Sequence, residues 1–121
     1  MKPVTVQVEA AAGGGHNEGS GAGPVTPLDP FVVNLNEPGT TRFLKASFEV
    51  ELTSPHAVEE LDKSKRVVRD EVLRYLSGLT YADTLGEEGK ARIRDEVTFR
   101  VDKSLGGGRV KRTFFTEFVV Q

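Results

Sequence analysis

The sequence predicts an α+β domain in which a small antiparallel sheet packs against two long helices, in the order β-β-α-α-β. Apolar and polar residues alternate from 42 to 52, as in a strand with one buried face. Apolar residues recur mostly every three or four positions over 58–76 and over 93–105, which predicts two helices that each bury one stripe. Residues 110–120 are rich in valine and phenylalanine, as is typical of a strand.

Composition allows one domain and excludes several kinds of chemistry. The 121 residues include 37% hydrophobic and 28% charged side chains, enough for one modest core. The net charge of −2 gives no bulk electrostatic reason to expect binding to nucleic acid. Cysteine is absent, which excludes disulfides, thiolate metal sites and cysteine nucleophiles. The two histidines, His16 and His56, leave little for acid–base or metal chemistry.

Glycine is concentrated near the start of the chain and predicts a flexible tether. Six of the 13 glycines lie between residues 10 and 24, among small and polar residues that have nothing to bury. A phosphate-binding loop is disfavoured, because no helix follows this stretch and no Lys-Ser/Thr pair ends it. We therefore expect residues 1–27 to be a linker and residues 28–121 to be the domain. Valines alternate with polar residues over 4–9, a pattern typical of a short strand that pairs with another chain or begins the tether.

Regular structure is expected to begin at Leu28 with a hairpin. A β-branched and aromatic strand over 31–35 ends at a Pro38-Gly39 turn, where glycine allows a positive φ. The alternating strand over 42–52 follows at once and is expected to pair antiparallel with the first. Its apolar face is expected to be buried and consists of Leu44, Ala46, Phe48, Val50 and Leu52.

The first helix is expected to begin at Ser54 and Pro55, because serine caps free N–H groups and proline fits the first helical position. We expect it to run for about 22 residues and so to be about 33 Å long. Gly78 is expected to close it in the left-handed conformation.

The second half of the chain continues with a turn, a helix and a strand. Thr80 followed by Asp83 resembles a capping box and predicts a short helical turn. The second long helix is expected to follow Gly86 and to stop at the three glycines of 106–108. The strand over 110–120 carries apolar residues at both parities, which predicts cover on both of its faces.

Several separated blocks of this sequence occur together in a known family. They are LDPFVVNL at 28–35, RFLK at 42–45, Arg69-Asp70, LTYAD at 79–83, and Val110 followed by FFTEFVVQ at 114–121. Because these blocks recur in the same order over most of the chain, the sequence resembles the extracytoplasmic domain of FliL, the flagellar basal body-associated protein family.

The resemblance implies a fold and a role beyond what the residue patterns predict. FliL proteins are single-span inner-membrane proteins whose periplasmic domain resembles the stomatin/prohibitin (SPFH) domain. They associate with the flagellar stator, the ion-conducting MotA–MotB complex, and assemble as a ring around it that supports torque or swarming. The resemblance therefore implies a non-catalytic homo-oligomer that acts in motility or chemotaxis, with no cofactor, no metal and no catalytic residue.

The sequence departs from the family at its N-terminus. It contains no run of about 18 apolar residues, so the family's transmembrane helix is missing, and no cleavable secretory leader is visible. We expect a periplasmic domain of the flagellar basal body that the missing helix tethers to the inner membrane. The glycine-rich stretch is the expected spacer between membrane and domain.

Two other function classes have some support in the sequence. One is a periplasmic enzyme or ligand-binding domain, for which the sequence has few candidate catalytic groups. The adjacent carboxylates Glu87-Glu88 and Asp95-Glu96 point apart on a helix. His56 has only Glu59 and Glu60 at helical spacing. A nucleic-acid-binding module draws on the interleaving of basic and aromatic residues over 109–115. The acidic balance of the chain counts against that module.

Residues that lie off the predicted buried faces are the candidates for protein contacts. Phe43 is on the polar side of its strand, and Phe99 is off the apolar stripe of its helix, where an isolated domain prefers polar residues. Basic residues on the outer helix faces and at the edge of the last strand complete the set. The candidate interaction residues are Phe43, Arg66, Arg69, Arg74, Phe99, Arg109, Lys111 and Arg112.

Overall fold

The structure, a computed structural model, describes residues 4–6 and 23–121, and it has the α+β class that the sequence predicts. Three long antiparallel strands and one short strand form a sheet, and helices pack on one face of it. The strands are β1 (Val4–Val6), β2 (Val25–Asn34), β3 (Phe43–Leu52) and β4 (Val110–Val120), in the spatial order β1-β4-β3-β2. The helices are α1 (Pro55–Lys63), α2 (Lys65–Ser77) and α3 (Gly86–Ser104), with a 3-10 turn at Ala82–Thr84.

The predicted hairpin of β2 and β3 is confirmed, but β2 begins earlier than expected. Val25 already pairs with Glu51, and the Leu52 N–H donates to the Pro24 carbonyl at 2.8 Å. β2 thus begins three residues before Leu28, and the prediction that regular structure starts at Leu28 is wrong. Of the residues expected to be linker, 25–27 belong to β2 and 4–6 pair with β4, whereas 1–3 and 7–22 lie outside the described residues.

The buried face of β3 is confirmed: Leu44, Ala46, Phe48, Val50 and Leu52 are all 0% exposed. Phe48 lies at the centre of a row of aromatic rings that crosses the sheet. Its ring centroid is 5.8 Å from that of Phe31 on β2 and 5.2 Å from that of Phe115 on β4, and Phe118 continues the row at 5.2 Å from Phe115. The core therefore joins the three long strands to one another beneath the helices.

A bulge in β4 explains its apolar residues at both parities. The pairing with β3 shifts between Ser47, opposite Glu117, and Phe48, opposite Phe115, so that the alternation changes phase. Residues from both parities consequently lie on the core face: Thr113, Phe115, Phe118 and Val120, all buried. The expectation that both faces of this strand are covered is thus corrected, since one bulged strand accounts for the pattern.

The first helix starts where the sequence predicts. The Ser54 side chain accepts a hydrogen bond from the Ala57 N–H at 3.2 Å, and Pro55 occupies the first turn.

The single long helix expected after Ser54 is, however, two helices. Ser64 separates α1 from α2, with φ −103° and ψ 17°. The apolar stripe has an exposed lysine, Lys65, at this point, so no apolar side chain holds the middle turn against the core. Buried residues continue on either side of the break, at Leu61 and Val68.

Gly78 does not have the predicted left-handed conformation. Its φ is −88°, and the last turn of α2 tightens instead, with the N–H groups of Gly78 and Leu79 donating to the carbonyls of Tyr75 and Leu76 at 3.1 and 3.2 Å. Because bonds of the 3-10 type satisfy the final carbonyls, no left-handed residue is needed there.

The predicted capping box after α2 is confirmed. The Thr80 N–H donates to the Asp83 carboxylate at 2.9 Å, and the Asp83 N–H donates to the Thr80 hydroxyl at 3.3 Å. The hydrogen bonds from the Thr80 main chain and side chain hold the pKa of Asp83 below its usual value. This turn sets the start of α3 against the preceding loop.

The second long helix, α3, has the predicted buried stripe and the predicted stop. Ile93, Val97, Val101 and Leu105 are all buried. The glycines at 106–108 have φ of +98°, +92° and +76°, which only glycine adopts readily.

The loop after α3 is tied to the helix by the side chain of Asp102. Its carboxylate accepts the N–H groups of Gly108, Arg109 and Val110 at 3.2, 2.7 and 2.9 Å. Burial raises the pKa of Asp102, but these hydrogen bonds outweigh burial and the pKa lies below its ordinary value. The loop therefore has a fixed path into β4.

Candidate interaction surfaces

The carboxylates and the histidine considered for catalysis lie on different helices: His56, Glu59 and Glu60 are on α1, whereas the adjacent pairs Glu87-Glu88 and Asp95-Glu96 are on α3. His56 is exposed, with Nδ1 4.0 Å from Glu59 and Nε2 3.7 Å from Glu60. The Glu60 carboxylate is itself bound by Arg109, whose hydrogen bond lowers the pKa of Glu60. On α3, Glu96 binds Arg100 at 2.8 Å. Among residues 23–121, no three His, Cys, Asp or Glu side chains come together as metal ligands.

Arg69 and Arg109, two of the candidate contact residues, are engaged within the domain. The Arg69 guanidinium donates to the carbonyls of Asp29 and Pro30 at 2.9 and 3.1 Å, and its central carbon lies 4.2 Å from the centroid of the Phe31 ring. It thereby fastens α2 to the irregular part of β2. Arg109 binds Glu60, which joins the start of β4 to α1. We assign both residues a structural role in the isolated domain.

The other basic candidates are more exposed. Arg74 pairs with Asp70 at 3.0 Å, but 74% of its side chain is exposed, and such surface pairs stabilise little. Arg66 is exposed and makes no hydrogen bond or ion pair with the residues that the structure describes. Lys111 is exposed on β4. Arg112 pairs with Glu51 at 3.0 Å while 63% of its side chain remains exposed.

The two aromatic candidates are exposed on opposite layers of the domain. Phe43 is 42% exposed at the start of β3, on the sheet face away from the helices. Phe99 is 59% exposed on α3, which covers the other face, and the Lys103 ammonium lies 6.0 Å from its ring centroid. The structure thus separates these two apolar positions by the full thickness of the domain.

Other apolar residues are also exposed, although they are not among the candidate residues. Val32 is 61% exposed, Val67 56% and Leu85 51%. The alternation of side chains along β2 is a signal that Val32 is exposed, because its neighbours Phe31 and Val33 are buried. On the open sheet face, Val32 lies in one row with Lys45 and with the half-buried Val119.

Glu51 also departs from the expected polar face of β3. It is only 5% exposed, because Gly23 crosses above it and donates its N–H to the carboxylate at 3.0 Å, opposite the Arg112 ion pair. No signal in the local sequence identifies this contact, since Gly23 and Glu51 are 28 residues apart.

A groove runs between α3 and the outer edge of β4. Its cavity has a volume of about 290 Å³ and is lined by residues 111–114 of β4 and by Arg94, Asp95 and Thr98 of α3. The Thr98 hydroxyl lies 2.7 Å from the Thr113 hydroxyl at its base. Three cationic side chains and one carboxylate line the groove, which favours an anionic occupant.

The geometry of β4 disfavours the nucleic-acid alternative. Phe115 is 2% exposed and packs in the aromatic row of the core, so its ring is not available for stacking on bases. Phe114 is half-buried, and Arg109 is occupied by Glu60. The interleaved residues of 109–115 therefore do not form an exposed basic and aromatic platform.

None of the helices in the described ranges combines the length and the apolar character that a bilayer crossing requires. The sequence profile of the family described as "Flagellar basal body-associated protein FliL" matches residues 25–121. The "Flagellar protein FliL" of Aquifex aeolicus is 33% identical over 92 residues, which cover 76% of this chain and 57% of that protein. The protein of the same name from Bacillus subtilis is 23% identical over 94 residues, which cover 78% of this chain and 65% of that protein. The chain thus spans less than two thirds of the length of either relative.

Proposed function

Because the chain belongs to the FliL family of flagellar basal body-associated proteins, we propose that it is a non-catalytic accessory protein that oligomerises around the flagellar stator and supports it. The observation that carries the proposal is the family match over 25–121, which extends from the start of β2 to the last residue of the sequence. Motility, swarming or chemotaxis is then the process that the protein promotes.

The positions of the exposed apolar residues support self-association. A ring requires a head-to-tail interface, in which two different patches of each copy meet. Phe43 and Phe99 lie on opposite layers of the domain and supply two such patches. Each is an aromatic residue of a kind that is enriched at protein–protein interfaces.

Weak contacts between domains are sufficient to assemble the ring when every copy is anchored in the same membrane. We place the domain in the periplasm, tethered to the inner membrane by the transmembrane helix that the family resemblance implies, and we assign it an SPFH-like fold. Anchoring in one membrane raises the effective concentration of neighbouring domains, so that lateral contacts of low affinity assemble a ring. The ring supports the stator by binding its open arrangement more tightly than the closed one.

Swarming of complemented cells tests this function. In flagellated cells that lack their own copy, the full-length protein with Phe99→Ser is expected to reduce the swarm expansion rate about twofold, because an interface anchor is lost while the core is untouched. Phe43→Ser is expected to act in the same direction.

Glu87→Ser is the matched control, because Glu87 is exposed in the first turn of the same helix as Phe99. It should swarm like the wild type. Wild-type swarming by the Phe43→Ser and Phe99→Ser double variant, at normal protein levels, would contradict the proposed role of these patches.

A further inference from the structure

The outer edge of β4 is only partly paired within the described residues. β1 covers Phe118–Val120, where Val6 lies opposite Phe118, and no other described strand lies beside the rest of the edge. An edge of this kind presents main-chain donors and acceptors to any extended chain. The part of β4 nearer its start is therefore a place where a strand can be added.

The ladder with β3 identifies the groups that face outward. The N–H of Thr53 donates to the Arg109 carbonyl, and Phe43 exchanges hydrogen bonds with Gln121, so odd-numbered residues of β3 bond to β4. Glu49 and Glu51 lie opposite Phe114 and Arg112, which consequently bond to β3. The main-chain groups of the alternate residues, Thr113 and Phe115, point away from β3.

The groove beside this edge selects for charge. Arg94 of α3 and Lys111 and Arg112 of β4 line it, against one lining carboxylate, Asp95. Arg112 also pairs with Glu51 but keeps 63% of its side chain exposed, so the balance of charge stays positive. Arg94 lies on the helix side of the sheet, whereas Arg112 lies on the open side with Glu51. An added strand places successive side chains on opposite faces, so acidic residues on it reach both arginines.

We propose that the edge of β4 from Thr113 to Phe115 binds an extended polypeptide segment with acidic side chains, which adds as a strand to the sheet. Main-chain hydrogen bonds to this edge hold the segment, and Arg94 and Arg112 select carboxylates on it. A nucleic acid lacks the main-chain pattern that the edge requires, and Phe115 is in the core. This proposal rests on the proposed function, because it gives the chemical class of a partner for one of the candidate surfaces.

Amide hydrogen exchange with a synthetic peptide tests the site directly. The probe is a blocked octapeptide with the sequence Thr-Thr-Glu-Glu-Thr-Thr-Glu-Glu, in which neighbouring Glu side chains lie on opposite faces of the strand, and its control is the same peptide with Lys in place of Glu. On adding the acidic peptide, exchange of the Thr113 and Phe115 amides is expected to slow, because they gain partners. The Arg112 and Phe114 amides, already bonded to β3, are expected not to change.

A matched pair of charge reversals tests selection for carboxylates. Arg94→Glu is expected to weaken binding of the Thr-Glu peptide at least about tenfold, since it removes a charge partner and adds a repulsive one. Arg66→Glu makes the same change on α2, away from the groove, and is expected to leave the affinity within about twofold. The dissociation constants are measured by fluorescence anisotropy of labelled peptide, at low and high salt, and are expected to rise with salt.

Several results would overturn the proposal. Equal binding of the Glu and Lys peptides, or equal effects of the two charge reversals, would remove the selection for acidic side chains. Protection of the Thr113 and Phe115 amides without peptide would assign the edge to another occupant: a second copy if protection rises with protein concentration, or the chain's own N-terminal segment if it persists on dilution. Because the probe is synthetic, this test can fail while stator association in cells succeeds.

Discussion

Replacing Phe48 with alanine is expected to lower the free energy of unfolding by about 3–5 kcal/mol. The Phe48 ring is 0% exposed and contacts the rings of Phe31 and Phe115, so its removal leaves a cavity beneath three strands that cannot close over it. A small domain has only about 5–15 kcal/mol of total stability, so this loss is a large share of it. Urea unfolding at neutral pH, monitored by circular dichroism, measures the change.

Phe99→Ala is the matched control, because it removes the same side chain from an exposed position on α3. Its effect on the free energy of unfolding is expected to stay within about 0.5 kcal/mol. If Phe48→Ala left the unfolding midpoint unchanged, that face of β3 would not be core, and the described packing of the sheet would be wrong.

Gly89→Ala is expected to destabilise the domain by about 1–3 kcal/mol, although alanine is usually the better helix residue. Gly89 is buried in the first turns of α3, where the helix lies against the capping turn. A Cβ atom at Gly89 would lie 2.6 Å from the Asp83 carbonyl oxygen and 3.1 Å from the Thr84 carbonyl carbon. Because these are main-chain atoms, either the helix or the turn must move to admit the methyl group.

Gly78→Ala provides the comparison at the end of α2. There the nearest atom to the added Cβ is the Tyr75 carbonyl oxygen at 3.6 Å, an ordinary contact, and φ is −88°. Alanine at this position is expected to leave stability unchanged or to raise it by up to about 1 kcal/mol, because it restricts the unfolded chain. Thermal unfolding of both variants gives the test, and a Gly89→Ala variant at least as stable as Gly78→Ala would refute the close packing of α3 on the turn.

Most of the fold could be predicted from local sequence patterns, because most of its elements are determined by residues that are close together in the sequence. The bounds of β4, the buried stripe of α3 and the Thr80–Asp83 box each follow from residues within a few positions of one another. The break at Ser64 and the bulge in β4 do not, because packing between elements decides where a helix bends or a strand changes phase. Gly78 has a common sequence pattern for a left-handed end, but the chain follows a tighter turn.

The contacts that the candidate residues make within the domain were harder to predict than the fold, for a related reason. An arginine looks free in sequence when its partner is distant: Arg69 binds carbonyls 39 and 40 residues away, and Arg109 binds Glu60 49 residues away. Phe43 and Phe99 were identifiable because each breaks an alternation or a stripe that is visible locally. The groove beside β4 needed the structure, since α3 and β4 line it together.

Photo-crosslinking in cells tests most directly whether the protein is a scaffold around the stator. A photoreactive amino acid is placed at position 99 or 43 of the full-length, membrane-anchored protein in swarming flagellated cells, with position 87 as the control. If the protein is such a scaffold, we expect adducts that contain a second copy of the chain or a stator subunit from positions 99 and 43, and few from position 87. Normal motility with neither adduct from either aromatic position would contradict it.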